Sequence, residues 1–132
     1  MKVKEAKLND LKVVEGKKDL LGGPSFSLSA LEMFMMAPDF TVQVAGDSAV
    51  VLYHEGKGGK SRMLLLVGSA PLELLKAAAD AARKHGSLKI TLEAELDSVA
   101  IPALKAAGYA HKGDVANYFG KDRPALFMEK LL

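Results

Sequence analysis

The stretch from Ile90 to Leu132 decides the fold, with ITLEA at 90–94, DSVAIPALKAAGY at 97–109, NYFG at 117–120 and ALFMEKL at 125–131. Gly108 follows the last helical position of the second segment, where glycine commonly ends a helix. The order predicts a strand, a short helix that ends at Gly108, and a final hairpin.

The rest of the chain divides into further short elements. Met63 to Val67 is apolar without alternation, which favours a strand in the middle of a sheet with both faces covered. The clearest helix runs from Pro71 to His85, with Ser69 as its predicted cap. The predicted strands are 3–8, 40–44, 49–53, 63–67, 88–94, 109–119 and 125–131, with a turn at 56–59 between the third and the fourth. The predicted helices are 10–18 (capped by Asn9), one capped by Ser27 or Ser29 and ended by Pro38, 71–85, and 98–107 with Pro102 distorting its first turn.

This order is β-α-α-β-β-β-α-β-α-β-β, in which hairpins alternate with crossover helices. Such a layout indicates a mixed α/β sheet. The length of 132 residues suits one domain that spans 1–132.

Composition excludes several classes of function. The net charge of +2 is too small to indicate a nucleic-acid-binding face. Without cysteine there are no disulfides or thiolate catalysts, which fits a reducing cytoplasm. The N-terminus does not read as a signal peptide, and no apolar run approaches the roughly 20 residues of a membrane span. His54, His85 and His111 lack metal-ligand spacing, so no metal is predicted.

The element order and the motifs after Leu88 resemble the GNAT N-acetyltransferases. LEA at 92–94, the helix ending in AAGY, and NYF followed by the last strand correspond to motifs of the enzymes that acetylate protein N-termini. The resemblance implies the GNAT acyl-CoA N-acyltransferase fold. It also implies acetyl-CoA as co-substrate and an amine acceptor, which is a peptide N-terminus, a lysine or a small amine.

The same resemblance places catalytic roles on two side chains. Glu93 matches the glutamate that helps to deprotonate the amine, a step that needs a base of matched pKa. The tyrosine that protonates the leaving thiolate is replaced by Leu104, which can neither donate nor accept a proton. Tyr118 or Tyr109 is the predicted substitute, and Tyr118 is the one that falls in a stretch bordering the acceptor site.

Coenzyme A binding is predicted around the end of the central strand. In the family the strand separates from its neighbour there, and a backbone amide, here of Leu66 or Val67, polarises the thioester carbonyl. The glycine-rich pyrophosphate loop is reduced to Gly68, Ser69 and Ala70. The amides of Ser69, Ala70 and Leu72 are the remaining donors for phosphate.

Two hypotheses of function follow. The first is an acetyl-CoA-dependent N-acetyltransferase. The second is a catalytically inactive GNAT-fold module that binds an acyl-CoA or a protein partner, favoured by the loss of both the glycine loop and the tyrosine. A homodimer formed through paired strands or the methionine-rich helix is a further prediction.

Overall fold

The computed structural model describes residues 2–56 and 58–132; Met1 and Lys57, the latter within the predicted turn at 56–59, lie outside the described residues. The described part holds seven strands and four helices. The strands are β1 (Lys4–Glu5), β2 (Phe40–Ala45), β3 (Ser48–Glu55), β4 (Lys60–Val67), β5 (Lys89–Glu95), β6 (Ala110–Val115) and β7 (Ala125–Leu131). The helices are α1 (Leu8–Val14), α2 (Leu28–Met36), α3 (Leu72–Lys84) and α4 (Ile101–Ala106).

The strands form one mixed sheet in the order β1-β2-β3-β4-β5-β7-β6. All neighbouring pairs are antiparallel except β4 and β5, which run parallel and are connected through α3. A parallel pair needs a crossover connection, and a helix is its usual form. The mixed α/β fold and the element order predicted from the sequence are therefore confirmed.

Two clusters of buried apolar side chains make up the core. One contains residues of α3 and α4, and the other contains residues of α1 and α2. Strand β4 contributes to both, because Leu66 belongs to the first cluster while Leu65 and Val67 belong to the second. Successive side chains of a strand point to opposite faces, so the central strand is covered on both faces as predicted.

The start of the chain departs from the prediction. The first strand is shorter than 3–8, and α1 begins and ends earlier than the predicted range 10–18. Its N-cap is Lys7 rather than Asn9. The carboxylate of Asp10 accepts a hydrogen bond from the Lys7 amide at 2.8 Å, and this contact satisfies a backbone donor at the helix start.

Two later helices also begin differently from the prediction. Pro71 is the N-cap of α3, and Ser69 does not cap it because the Ser69 hydroxyl bonds to Asp47 in the turn between β2 and β3. Helix α4 begins at Ile101 rather than at Ser98. Pro102 therefore lies in the first turn, where its missing N–H removes no intrahelical bond.

A buried histidine lies at the end of the sheet near the start of β4. His54 is 4% exposed, and its ring nitrogens lie 2.7 Å from the Thr41 hydroxyl and 2.6 Å from the Ser61 hydroxyl. Its ring stacks on that of His85 with centroids 3.8 Å apart. Burial and the neighbouring His85 lower the pKa of His54 to about 4, so the folded protein keeps this ring neutral.

We expect the free energy of unfolding to fall as the pH drops from 7 to 5. Unfolded His54 takes up a proton near pH 6.5, whereas the folded state resists protonation down to a pKa of about 4. The unfolded state therefore binds more protons in this window, and about 2 kcal/mol is lost. Urea denaturation at both pH values should show a smaller loss in His54→Gln than in the wild type. Equal losses would contradict the prediction, and the exposed His111→Gln serves as control.

Candidate active site

Strands β4 and β5 pair over only part of their length. Residues 60–62 align with 89–91, and no further pairs join the two strands among their described residues. On its other edge β4 stays paired to β3 as far as Val67, with a register shift beside Leu64 that leaves an extra residue on β4. A gap therefore opens between β4 and β5 toward their C-terminal ends, as the family resemblance implied.

A cavity of about 630 Å³ lies beside this part of the sheet, where residues 62–64 of β4 and Glu93 of β5 line it. Apolar and polar side chains both line it, including the predicted catalytic residues Glu93 and Tyr118. The other polar lining residues are Asp19, Arg62 and Arg123. The apolar lining includes Leu21, Pro24, Phe26, Met63, Leu64 and Phe119.

Glu93 and Tyr118 are brought together by Arg62. Arg62 Nη2 lies 3.1 Å from Glu93 Oε2 and 3.5 Å from the Tyr118 hydroxyl, which is itself 3.5 Å from Glu93 Oε2. Arg62 aligns with Thr91 in the last parallel pair, and Glu93 follows Thr91 by two residues on the same face. This register explains how two separate strands present one ion pair.

Both members of this pair are partly buried. The Glu93 side chain is 15% exposed and that of Arg62 is 34% exposed. Burial disfavours the guanidinium charge, but the hydrogen bond and charge of Glu93 outweigh it and raise the pKa of Arg62. The cluster thus holds a carboxylate beside a permanent cation, at a cavity that a small molecule can enter.

The alternative tyrosine is placed away from the cavity. Tyr109 is 2% exposed and belongs to the apolar core. Its hydroxyl has no hydrogen-bond partner among the described residues, and burial raises its pKa above the ordinary value. Of the two tyrosines considered from the sequence, only Tyr118 lines the cavity with Glu93.

The backbone of Leu66 faces the gap between β4 and β5. Its amide donates to Asp19 Oδ1 at 3.1 Å, and its carbonyl accepts from the Leu20 amide at 2.7 Å. Backbone groups of successive strand residues point to opposite edges, so the Val67 amide points toward β3. Leu66 is therefore the residue of the two that can present an amide to a ligand in the gap.

The loop between β4 and α3 is bonded to the turn between β2 and β3 and to the start of β3. Gly68 has a φ of 85°, and a side chain there would overlap the Asp47 carbonyl oxygen. Ser69 Oγ donates to Asp47 Oδ1 at 3.0 Å, and the Ala70 amide donates to Ser48 Oγ at 3.1 Å. Two of the predicted phosphate-binding positions are thus engaged by Asp47 and Ser48.

The charge at this loop is also unfavourable for a diphosphate. Hydrogen bonds from Ser48 and Ser69 hold the pKa of Asp47 below its usual range, so a carboxylate lies beside the loop. Lys17 offsets it in part, because its Nζ donates to the Asp47 carbonyl at 2.9 Å. Pro71 adds no amide at the start of α3, where Leu72 supplies the first helical one. The loop fits a diphosphate poorly.

Sequence reasoning missed Arg62 and Asp19. Arg62 has a weak signal, since it is the lone arginine directly before the apolar run of β4. Asp19 has none, because an aspartate ahead of a glycine-proline turn is ordinary at the surface. The described residues contain no cluster of His, Asp and Glu suited to a metal. Across the same residues, none of the helices has the length and apolarity to cross a bilayer.

No protein-family model matches the chain, and no curated protein matches it in sequence. Solved structures match it over nearly its full length. Ribosomal-protein-alanine N-acetyltransferase from Brucella melitensis is 18% identical with a TM-score of 0.75, and each chain is covered to 100%. Aminoglycoside 6'-N-acetyltransferase from Enterococcus faecium is 17% identical with a TM-score of 0.73, covering 99% of this chain and 97% of that one.

A third similar structure is spermidine N-acetyltransferase from Vibrio cholerae in complex with CoA and spermine. It is 15% identical with a TM-score of 0.76, covering 98% of this chain and 94% of that one. At these identities the likeness concerns the fold. The chain has the GNAT fold.

Proposed function

We propose that this chain is an acetyl-CoA-dependent N-acetyltransferase that transfers an acetyl group to an amine. The observation that carries the proposal is the parting of β4 and β5 beside a cavity that contains Glu93. A gap between two strands suits a narrow thioester arm, and the cavity leaves room for the acceptor. The GNAT fold, shared with N-acetyltransferases of several kinds, supports the same reaction.

The chemistry needs a neutral amine and a polarised thioester carbonyl. Glu93 accepts the amine proton as the nitrogen attacks, and the Leu66 amide donates to the developing oxyanion. The new C–N bond forms and the C–S bond breaks. Tyr118 then gives a proton to the thiolate, and Glu93 returns one to Tyr118 across their 3.5 Å separation.

Arg62 has a positioning role in this scheme. Arg62 Nη2 lies 3.1 Å from Glu93 Oε2, and this contact holds the Glu93 carboxylate in place at the cavity.

The class of amine acceptor is open among a peptide N-terminus, a lysine and a small amine. The three similar structures are named for a ribosomal-protein alanine, an aminoglycoside and spermidine, and their TM-scores lie between 0.73 and 0.76. This narrow range favours none of them. The cavity lining combines a carboxylate, a guanidinium and apolar side chains, so it does not favour one class either.

The second candidate is a GNAT-fold module without catalysis. The comparisons do not favour it, because the similar structures are named as acetyltransferases. One observation still supports testing it: residues 19 and 20 already bond the Leu66 amide and carbonyl.

Calorimetric titration with acetyl-CoA, followed by a thiol-release assay with mixed peptide and polyamine acceptors, separates the candidates. Heat with turnover supports the enzyme. Heat without turnover, across broad acceptors, supports the binding module. If millimolar acetyl-CoA releases no heat, the enzyme proposal is overturned, and so is the proposal of a module that binds acyl-CoA.

Replacing Tyr118 by phenylalanine should lower kcat about tenfold. The effect is smaller than for a general base, because a thiol with a pKa of about 8.5 departs readily as thiolate. Tyr109→Phe is the matched control, since its buried hydroxyl has no partner among the described residues. Steady-state rates with one acceptor would test this, and equal rates for Tyr118→Phe and wild type would remove Tyr118 from the mechanism.

A further inference from the structure

The gap between β4 and β5 contains a segment of the chain itself. Residues 19–21, hereafter the plug, bond to both strands beyond the point where the strands part. Leu20 and Asp19 bond the carbonyl and the amide of Leu66 on β4, at 2.7 and 3.1 Å. On the other side the Glu95 amide of β5 donates to the Leu21 carbonyl at 2.9 Å. The plug thus substitutes for the missing pairing between the two strands.

The plug is held firmly by a buried carboxylate. Asp19 is 2% exposed, and it accepts hydrogen bonds from the amides of Leu21, Gly23 and Leu66. Burial raises the pKa of Asp19 more than these bonds lower it. Ser98 Oγ adds a hydrogen bond to the Leu20 carbonyl.

A thioester in the gap would need the Leu66 amide, which the plug already occupies. The Leu66 amide is the one that the proposed reaction assigns to the thioester carbonyl, and Asp19 holds it. An acyl-CoA arm and the plug therefore cannot bond Leu66 at the same time. The plug is followed by Gly22 and Gly23, and Gly22 has a φ of 108°, a backbone conformation that glycine adopts without steric cost.

We propose that the plug is a self-inhibitory segment, which must leave the gap before acetyl-CoA can bind. This inference rests on the proposed function and adds a step to it. The apparent affinity for acetyl-CoA falls in proportion to the fraction of molecules whose gap is open. Together with the poor diphosphate fit of the loop at 68–70, the plug predicts weak donor binding by the wild-type chain.

Calorimetric titration of acetyl-CoA into three variants tests the plug. Asp19→Ala removes the acceptor of three backbone amides, and it should bind about tenfold more tightly because a hydrogen bond to a charged group is lost from the closed state. Ser98→Ala removes one bond to Leu20 and should show a smaller gain of about threefold. Asp80→Ala, at an exposed ion pair on α3, should bind as the wild type does.

Hydrogen exchange provides a readout that does not depend on affinity. In the wild type, saturating acetyl-CoA should speed exchange at the Leu20 amide, because its acceptor on Leu66 is taken over. The Leu66 amide should stay slow, since the donor replaces Asp19 as its partner. This exchange measurement on the wild type also tests the proposal if Asp19→Ala fails to fold. Unchanged exchange at the Leu20 amide would overturn the proposal that the plug leaves the gap.

The outcomes separate this inference from the proposed function. If acetyl-CoA binds all four proteins with equal affinity, the plug is overturned and the transferase proposal stands. A second outcome is that none of the four proteins binds acetyl-CoA, although fast exchange at the Leu66 amide of Asp19→Ala shows that the gap is open. The transferase proposal then fails, and the plug does not block an acetyl-CoA site.

Discussion

Replacing Glu93 by glutamine should lower kcat/KM for acetyl transfer about 100-fold. A general base contributes about 10²- to 10⁴-fold, and the amide of glutamine cannot accept the amine proton. Glutamine keeps the size and hydrogen-bonding reach of the side chain, so the cavity should keep its shape. The measurement is the initial rate of thiol release at subsaturating acceptor, over a range of pH.

The chain offers a matched control for this experiment. Glu129 on β7 is 16% exposed at its side chain and lies 3.2 Å from Lys89, whereas Glu93 is 15% exposed and lies 3.1 Å from Arg62. Glu129→Gln therefore breaks an equivalent ion pair outside the cavity. It should leave kcat/KM unchanged, and a similar loss in both variants would mean that Glu93 acts through the fold alone.

Replacing Gly68 by alanine should lower the free energy of unfolding by about 2–5 kcal/mol. The first cause is the backbone, because a φ of 85° costs alanine about 1–2 kcal/mol. The second is a clash, since a Cβ would overlap the Asp47 carbonyl and come within 2.7 Å of the Ser48 Cα. Overpacking of this kind costs about 1–3 kcal/mol more.

Gly86 separates the two causes. It has a φ of 81°, nearly that of Gly68, but a Cβ there meets no atom within 4 Å among the described residues. Gly86→Ala should therefore lose only about 1–2 kcal/mol. Urea denaturation of both variants measures the difference, and equal losses would show that the contact between the loop and Asp47 relaxes at little cost.

Several elements could be predicted because their signals are local. The apolar run at 63–67 identified the central strand, since only a strand covered on both faces avoids polar positions. The predicted helix 71–85 differs from α3 by one residue at each end. Helix starts were less reliable: Asn9 and Ser69 have the chemistry of caps, but Lys7 and Pro71 occupy those positions. Cap formation depends on the local chain path as well as on residue type.

The candidate site was predictable only in part. Glu93 and Tyr118 came from the family resemblance, and the structure places their side chains within 3.5 Å. Their roles in catalysis stay predictions. Arg62 and Asp19 could not be found, because their positions depend on strand register and on the path of the loop after α1.

The sequence by itself determined the order of the elements and the central strand, since each depends on residue types over short spans, and its composition excluded a catalytic cysteine. Only the tertiary structure decided that Arg62 meets Glu93, that Leu66 faces the gap, and that Asp19 fills it. These facts depend on contacts between residues far apart along the chain. Arg62 and Glu93 are 31 positions apart, and Asp19 and Leu66 are 47 positions apart. Such contacts are set by register and packing, which no local pattern encodes.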